Sequence, residues 1–356
     1  MKTHIKLLLV LAITALFTTQ SFAEKKVKWK LAMTWPKNLV PLSTPPQRVS
    51  ELVKEMSGGN FTIKVHGKGI HKAPLGILDM VKNSHYEIGH SSSYYYKGVD
   101  IATAPFTTMP FGLTTAEQYA WYYYGGGEQL AKKVYDKFKV DIYPGGNTGV
   151  QMGGWFKKEI NSLEDLKGLK IRIAGMAGEI FSDIGANVTN IPGGELYTAL
   201  DRGTIDAVEW VSPGMDIRMG FHKIAPYYYK GWQEPASEMH FFVNQKAYNK
   251  LSKVNKSILQ SAIKVATAEM YTDTYNQNII SWQQMKKEFP NIKVKTFPQE
   301  VLQAMKTSND ALMKKYSKEN KLFKEIYESQ QNYLKQAREW TTISEYNYIN
   351  TSNSVK

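Results

Sequence analysis

Three charged residues near the ends of predicted strands are the strongest candidates for chemistry in this sequence. Arg172 lies in a mostly apolar predicted strand. A buried arginine there needs a partner that fits its planar fork, such as a carboxylate. Either a ligand or an acidic residue of the chain supplies that carboxylate, and residue type leaves both alternatives open. Glu209 and Glu234 provide two carboxylates, which repel each other in one cleft unless a cation or a shared proton separates them.

A neutral oxygen donor accompanies the two glutamates. Gln151 begins a predicted strand, and with Glu209 and Glu234 it resembles the all-oxygen ligand set of a hard cation. For each glutamate the alternative is a solvated charge or half of an ion pair. Because open α/β sheets bind ligands at strand ends, these residues favour a binding site.

An enzyme is the alternative from another class, and the motifs it needs are missing. The histidines form no His-Glu-x-x-His pair, so a catalytic zinc has no support. His90 precedes the serines 91–93, but neighbouring strand residues point to opposite faces and no Gly-x-Ser-x-Gly is present. The glycine clusters match neither nucleotide-binding pattern. The chain has no cysteine, which excludes disulfides, cysteine-ligated metals and thiol nucleophiles.

The composition and charge fit an exported globular protein. The 356 residues are 42% hydrophobic and carry a net charge of +13. Basic residues are interleaved with acidic ones, so we expect solvated helix faces and no nucleic-acid partner. A basic start, an apolar run at 7–17 and the small-x-small site 21–23 predict a signal peptide at 1–23 and a periplasmic location.

The elements that must position these residues alternate between strands and helices, which predicts a parallel or mixed sheet covered on both faces. The first unit has strands predicted at 27–33, 61–65 and 86–91 and helices at 45–56, 75–81 and 115–137, the last weakened or split by the glycines 125–127. The second unit has strands predicted at 151–157, 170–174, 187–191 and 207–211 and helices at 176–184 and 195–202.

The remainder of the chain is predicted to be mainly helical. Strand 239–244 leads back to the first unit, helices follow at 247–268 and 269–288, and a short strand lies at 292–295. A long amphipathic run covers about 300–346, and its apolar stripe must be buried on its own chain or on another subunit. Both a homodimer through this run and a helix folded back on its own lobes stay open.

Several separated motifs resemble one family of transport proteins. The stretch 191–211, Ile-Pro-Gly-Gly-Glu-Leu-Tyr-Thr-Ala-Leu-Asp-Arg-Gly-Thr-Ile-Asp-Ala-Val-Glu-Trp-Val, is similar to a hallmark of DctP-like periplasmic solute-binding proteins of tripartite ATP-independent periplasmic (TRAP) transporters. The stretch 162–172, Trp35 and the motif Pro-Phe-Gly-Leu at 110–113 match the same family. The resemblance covers roughly 27–345.

The Glu-Trp pair at 209–210 and the later Gly-Trp-x-Glu-Pro resemble the branch that binds 2-oxo and 2-hydroxy monocarboxylates, such as pyruvate and lactate, with a metal ion. The resemblance implies that Arg172 pairs with the substrate carboxylate. It also implies a sodium or calcium ion that bridges to the substrate, with ligands from Gln151, Glu209, the Trp210 carbonyl and Glu234.

The resemblance further implies that a tyrosine closes the pocket, Tyr95 in the first place and Tyr94 next. The sequence departs from the branch at two positions, where Lys230 replaces the usual proline and Ala236 a common glycine. These changes bear on the size of the substrate more than on the binding mode.

The family fold implies a two-lobed α/β binding protein with a hinge and long C-terminal helices. We assign 24–148 and 239–300 to lobe 1, 149–238 to lobe 2 and 301–356 to a C-terminal helical extension, and expect two crossings between the lobes. The expected function is capture of a small organic anion for delivery to TRAP membrane subunits. The alternatives are an exported enzyme acting on small acidic substrates and an adhesin for anionic polymers.

Overall fold

The computed structural model describes residues 26–71 and 73–355, which form an α/β fold with two β-sheets. The predicted α/β class and the long C-terminal helices are confirmed. The predicted signal peptide at 1–23 lies outside the described residues. No helix in the two described ranges is both long enough and apolar enough to cross a bilayer.

The strands are short except in the first sheet. They are β1 (Val27–Met33), β2 (Phe61–His66), β3 (Ile88–Ser92), β4 (Val140–Asn147), β5 (Gly154–Phe156), β6 (Lys170–Arg172), β7 (Asn187–Thr189), β8 (Ala207–Val208), β9 (Tyr227–Tyr229), β10 (Glu238–Asn244) and β11 (Lys293–Lys295).

The first sheet has the order β2-β1-β3-β10-β4. Strand β1 is parallel to β2 and β3, whereas β10 is antiparallel to β3 and β4. Every residue of β3 and β10 is buried, as expected for central strands covered on both faces. This sheet forms the core of the first lobe.

The second sheet has the order β11-β9-β5-β8-β6-β7 and forms the core of the second lobe. Strand β6 is parallel to β7 and β8, and its last residue is Arg172. Strand β11 is parallel to β9 at the other edge. The assignment of all of 239–300 to lobe 1 is therefore wrong for 293–295, because a strand this short gives no sign of its partner. The other lobe boundaries stay predictions.

Helices cover both sheets and form the C-terminal part. They are α1 (Thr44–Met56), α2 (Ile77–Lys82), α3 (Thr115–Tyr124), α4 (Gly127–Tyr135), α5 (Gly175–Asp183), α6 (Leu196–Asp201), α7 (Pro213–Met219), α8 (Gln245–Asn249), α9 (Lys253–Glu288), α10 (Gln299–Glu319), α11 (Lys321–Thr341) and α12 (Asn347–Ser354).

The predicted helix at 115–137 is split at Gly126, whose φ of +92° is a left-handed conformation that glycine adopts readily. The helices predicted at 247–268 and 269–288 are instead one helix, α9, with the short α8 before it. The side chain of Ser252 caps α9 by accepting from the backbone N–H of Asn255 at 3.1 Å.

Helix α9 has 36 residues and contacts both lobes. On the first lobe the Thr267 hydroxyl donates to the Pro144 carbonyl at 2.8 Å. On the second lobe the backbone N–H of Gly214 donates to the Asn278 side chain at 2.9 Å. After α9 the chain enters β11 of the second sheet, so the chain crosses between the lobes more often than the two times expected.

The C-terminal run is two helices: α10 passes from the core of the second lobe to that of the first, where its Met313 is buried, and α11 packs on the first lobe. Asn320 breaks it with an extended backbone, and its side chain caps α11 by accepting from the N–H of Phe323 at 2.9 Å. Val301 and Met305 of α10 are buried in the core of the second lobe. Phe323 and Ile326 of α11 are buried in the core of the first lobe. Most of the apolar stripe is therefore buried on its own chain.

A buried histidine in β10 makes stability depend on pH. His240 is completely buried, and neither ring nitrogen has a hydrogen-bond partner among the described residues. Burial lowers the pKa of His240 to about 3. Below pH 6.5 the unfolded chain takes up a proton that the folded chain does not, so stability falls as the pH decreases from 6.5 towards 3.

Between pH 8 and pH 5 the wild type should lose about 2 kcal/mol of unfolding free energy through His240, and the His240→Phe variant should not show this part of the loss. Urea unfolding of both proteins at the two pH values measures the difference. The comparison of variant with wild type cancels the other titrating groups. Equal losses in the two proteins would refute this role of His240.

Candidate functional site

The site lies where two chain segments cross between the lobes side by side. The backbone N–H of Thr148 donates to Ser237 O at 3.1 Å, and that of Gln151 donates to Glu234 O at 2.9 Å. The close approach requires glycine at position 231, because a Cβ there would lie 1.8 Å from the Gln151 carbonyl oxygen. Gln151 and Glu234 are thereby held together at the hinge.

Arg172, at the end of β6, is 2% exposed and held by backbone carbonyls. Its Nη1 donates to the Glu209 carbonyl at 2.8 Å, and its Nε donates to the Ile191 carbonyl at 3.3 Å. The guanidinium lies 5.3 Å from the centre of the Trp210 ring. No hydrogen bond from Nη2 is found in the described part of the chain, so this nitrogen can still donate.

Both alternatives for the partner of Arg172 survive in the structure. Nη1 lies 3.5 Å from Glu209 Oε2, and both side chains are almost fully buried. This ion pair is long, and it leaves the Nη2 edge of the guanidinium to a further acceptor. Arg172 therefore has an internal acidic partner and spare donor capacity for a ligand carboxylate.

Three buried oxygens near this arginine lack hydrogen-bond partners. They are Gln151 Oε1, Glu209 Oε1 and Glu234 Oε2. The Gln151 amide nitrogen donates to Thr148 Oγ1 at 2.9 Å, which fixes the opposite direction for Oε1. Buried polar atoms are normally paired, so three unpaired acceptors at one hinge fit a cation as their missing partner.

A fourth oxygen at this hinge is also unpaired. The carbonyl of Glu209 accepts from Arg172, and that of Val211 accepts from the Met152 N–H at 2.7 Å. Between them, no hydrogen bond to the Trp210 carbonyl is found within the described residues. The described residues contain no group of three or more His, Cys, Asp or Glu side chains suited to a metal. The four oxygens at this site come from two glutamates, one amide and one backbone carbonyl.

Burial raises the pKa values of both glutamates above the ordinary range. For Glu209 burial is the largest cause, followed by the charge of Glu234, while Arg172 opposes the shift. For Glu234 burial raises the pKa to about 7. One arginine does not balance two buried carboxylates, so a bound cation would favour their ionised forms.

Tyr94 and Tyr95 lie on the first lobe against this site. Their rings meet edge to face at 4.7 Å, and Tyr95 also lies 6.4 Å from the ring of Trp35. Burial raises the pKa of each hydroxyl, so both stay protonated and can donate at neutral pH. Both tyrosines line the same cavity as Arg172, and their roles in closing a pocket stay predictions.

A small cavity of about 20 Å³ lies between the lobes. It is lined by Trp35, Leu42, Ser92, Tyr94, Tyr95, Thr148, Gln151, Arg172, Trp210, Val211, Ser237 and Met239. Glu209 and Glu234 do not line it, but each contacts a residue that does, Arg172 and Gln151 respectively. A cavity needs about 10–15 Å³ by this measure to hold one water molecule, so a larger ligand requires the lobes to move apart.

A larger groove of about 540 Å³ lies elsewhere, along α9 near the hinge. Tyr275 and Ile279 of α9, Val150 and Val294 are among its apolar lining residues. It contains none of the candidate site residues, so we place the ligand site in the smaller cavity, where charged groups and unpaired oxygens converge.

Bonds across the cleft hold the lobes together at its edges. Lys68 of the first lobe lies 3.3 Å from Glu195 of the second. Lys97 pairs with Glu179 of α5, which also accepts from the Tyr316 hydroxyl. These exposed or half-buried pairs each contribute little stability.

His90 supports the pocket wall and is not part of a serine nucleophile. Its Nδ1 accepts from the Trp35 indole N–H at 3.1 Å, and its Nε2 lies 2.9 Å from the Gly145 carbonyl. This pairing describes a neutral imidazole, and burial lowers the pKa of His90 to about 4. This support leaves no signal in the sequence, because Trp35 and His90 are 55 residues apart.

The tyrosines at 227–229 form β9 in the core of the second lobe. Tyr228 stacks on Trp155 with ring centres 3.9 Å apart. Its hydroxyl donates to Asp216 at 2.7 Å. The sequence Tyr-Tyr-Tyr-Lys-Gly occurs twice, at 94–98 and at 227–231. Only the earlier copy contributes residues to the cavity, so the two copies have no shared role there.

Comparisons with known proteins find one family and several relatives to which this chain is similar. Residues 31–320 match the DctP family of bacterial extracellular solute-binding proteins, family 7. A monocarboxylate 2-oxoacid-binding periplasmic protein of Nostoc sp. is 40% identical over 331 residues, 92% of this chain and 90% of that protein.

Two solved structures share the fold and half of the residues. A TRAP periplasmic solute-binding protein from Colwellia psychrerythraea, with bound calcium and pyruvate, has a TM-score of 0.91 and 50% identity, covering 92% of this chain and all of that one. One from Pseudoalteromonas atlantica, with bound sodium and pyruvate, has a TM-score of 0.90 and 51% identity, covering 92% of this chain and 99% of that one.

Proposed function

Because this chain belongs to family 7 of the bacterial extracellular solute-binding proteins, a family of transport receptors and not of enzymes, we propose that it captures a 2-oxo or 2-hydroxy monocarboxylate such as pyruvate or lactate. Arg172 pairs with the ligand carboxylate, and a cation bridges the protein and the ligand. The two lobes close on this pair, and Tyr95 and Tyr94 complete the pocket from the first lobe.

The main support for this proposal is that one donor edge of Arg172 and three buried oxygens near it have no hydrogen-bond partner. Its Nη2 edge is open to a carboxylate, while Gln151 Oε1, Glu209 Oε1 and Glu234 Oε2 are buried without donors. An anionic ligand alone would add a third negative charge to the two glutamates. A cation together with the anion satisfies both the open donor and the unpaired acceptors.

Sodium or calcium fits the oxygen atoms available. Gln151, Glu209, the Trp210 carbonyl and Glu234 would hold the ion, which prefers carboxylate, amide and carbonyl oxygens. The bound ion would supply positive charge to the carboxylate and the neighbouring oxygen of the ligand. The relatives with calcium and with sodium support this pairing of cation and 2-oxo acid.

Calorimetry of dialysed protein tests the proposal. We expect saturable binding of pyruvate or lactate, which is stronger with added calcium or sodium than after chelation and desalting. We expect no binding of sugars and no formation of a product. Succinate is the control for ligand size and charge, because Arg172 is the one charged side chain among the residues that line the cavity. Turnover of the ligand would instead support an enzyme, and heat with polyanions alone would support an adhesin.

The location and the membrane partners follow from the same function. Export guided by 1–23 would release a mature periplasmic chain that begins at Glu24. N-terminal sequencing of the secreted protein checks this cleavage. The closed, loaded protein would then deliver its ligand to TRAP membrane subunits, and ligand contacts on both lobes favour that closed state.

The C-terminal end is proposed to make a homodimer. Trp340, Ile343, Tyr346 and Ile349 are between 56% and 70% exposed, although they belong to one helical run. An apolar surface of this kind at the end of a helix is suited to a second copy of the chain. We expect the mature chain to be a dimer at micromolar concentration in light scattering.

Truncation after Glu339 is the matched variant for the dimer. It removes the exposed end but keeps Arg338, which pairs with Glu117 at 2.8 Å, and the buried Phe323. The truncated chain should be a folded monomer. A wild-type mass of one chain would contradict the dimer.

A further inference from the structure

Asp216 is a buried carboxyl group that contacts the chain segment carrying Trp210. It is 1% exposed, in the first turns of α7. Its Oδ2 accepts from the Trp155 indole N–H at 3.0 Å and from the Tyr228 hydroxyl at 2.7 Å. Its Oδ1 accepts from the backbone N–H of Val211 at 3.1 Å. Two strands of the second sheet and the segment that carries Trp210 thus meet on one side chain.

The bond to Val211 matters because of the peptide group that it engages. The N–H of Val211 and the carbonyl of Trp210 belong to the same planar, trans peptide unit, in which they point in opposite directions. When Asp216 fixes the N–H on its own side, it aims the Trp210 carbonyl away from itself. A strong acceptor on the N–H also increases the electron density on the carbonyl oxygen.

The carbonyl groups on either side of Trp210 are both used in hydrogen bonds. The Glu209 carbonyl is used by Arg172, and the Val211 carbonyl by Met152. The Trp210 carbonyl alone of these three has no donor within the described residues. The fold therefore fixes this peptide group from its N–H side and leaves its oxygen available.

We propose that Asp216 is a positioning residue for cation binding, which aims and polarises the Trp210 carbonyl through the N–H of Val211. This inference rests on the proposed function, since it assigns the Trp210 carbonyl as a ligand of the cation. It adds a residue that touches neither the ion nor the carboxylate. Trp155 and Tyr228 hold Asp216 in place from the other side.

Asp216→Asn tests the inference at nearly constant shape. The amide presents one acceptor and one donor where three donors now converge, so it cannot serve both Val211 and the pair of Trp155 and Tyr228. We expect about a tenfold or larger loss of calcium affinity in calorimetry with pyruvate present, a loss typical of one hydrogen bond to a charged group. Burial raises the pKa of Asp216 to about 7, so the titration is done at pH 8.

Tyr228→Phe is the matched control. It removes one hydrogen bond to the same carboxyl group but leaves the bond to Val211, and we expect less than about a threefold change in calcium affinity. Both variants lose a buried hydrogen bond, and both are expected to lower the melting temperature. Equal losses of calcium affinity in the two variants would mean that Asp216 is merely structural and would overturn the inference.

A spectroscopic measurement on the wild type covers the case in which Asp216→Asn does not fold. In protein labelled with ¹⁵N-valine, the Val211 amide resonance should shift on addition of calcium with pyruvate, because the carbonyl of its peptide group gains a ligand. An unmoved Val211 resonance in protein that demonstrably binds calcium overturns the inference. Absence of calcium and sodium binding to the wild type refutes the proposed function instead, so the two failures are distinguishable.

Discussion

Arg172→Lys is expected to weaken monocarboxylate binding by about 2–5 kcal/mol, the range for loss of one partner of a buried charged pair. The arginine donates from Nη1 and Nε to two carbonyls and still has Nη2 to offer. A lysine ammonium has three donors on one atom and cannot span the Glu209 and Ile191 carbonyls and a ligand at once. Calorimetry with pyruvate in excess calcium measures the loss.

Arg202→Lys is the matched control, because Arg202 is an exposed arginine in the same lobe. It should bind as the wild type does. Circular dichroism and the melting temperature establish that the Arg172→Lys protein is folded. Wild-type affinity in that folded variant would remove Arg172 from the ligand site.

Glu234→Gln is expected to reduce calcium affinity by about a hundredfold or more, because the charge on the ligands is a main determinant of calcium binding. The amide keeps the size of the side chain and one oxygen, so the change separates charge from packing. Ligand affinity in calcium should fall to the value that the wild type has after chelation. Glu209→Gln should act in the same direction, with an added effect on its ion pair with Arg172.

Glu195→Gln is the control for these two variants. Glu195 lies at the edge of the cleft, where it pairs with Lys68 at 3.3 Å. Its loss should leave the cation requirement unchanged. Metal analysis of purified wild-type protein complements the titrations, and a protein without bound cation whose ligand affinity ignores added ions would exclude the bridging ion.

The sequence predicts most elements because their signals are local. Strand β1 has the predicted bounds, and the split at 125–127 follows from glycine chemistry. The division of α9 at residue 268 was wrong, because no helix-breaking residue lies there. The interruption at Asn320 was missed because asparagine in a polar, charged stretch is common on helix surfaces, and the pattern does not distinguish such a residue from one that caps the next helix, as Asn320 does for Phe323.

In the candidate site, the residues with functional groups could be predicted from the sequence, and the residues that support them could not. Arg172, Gln151, Glu209 and Glu234 were predicted from their residue types and from the family resemblance, and the structure brings them together. Their supports were not predicted. Asp216 is bonded to Trp155, 61 residues away, and such pairing of distant residues leaves no signal in a single sequence.

The long helix α9 determines where the two lobes can pivot. With a rise of about 1.5 Å per residue, its 36 residues form a rod of about 54 Å. The helix is hydrogen-bonded to the first lobe through Thr267. It also packs closely against Gly214 of the second lobe, where an added Cβ would lie 3.0 Å from Asn278 and Gln277. We expect the lobes to pivot beside this packed contact and the paired segments at 148/237 and 151/234. Opening the lobes in this way would separate Lys68 from Glu195, which join the two lobes at the edge of the cleft.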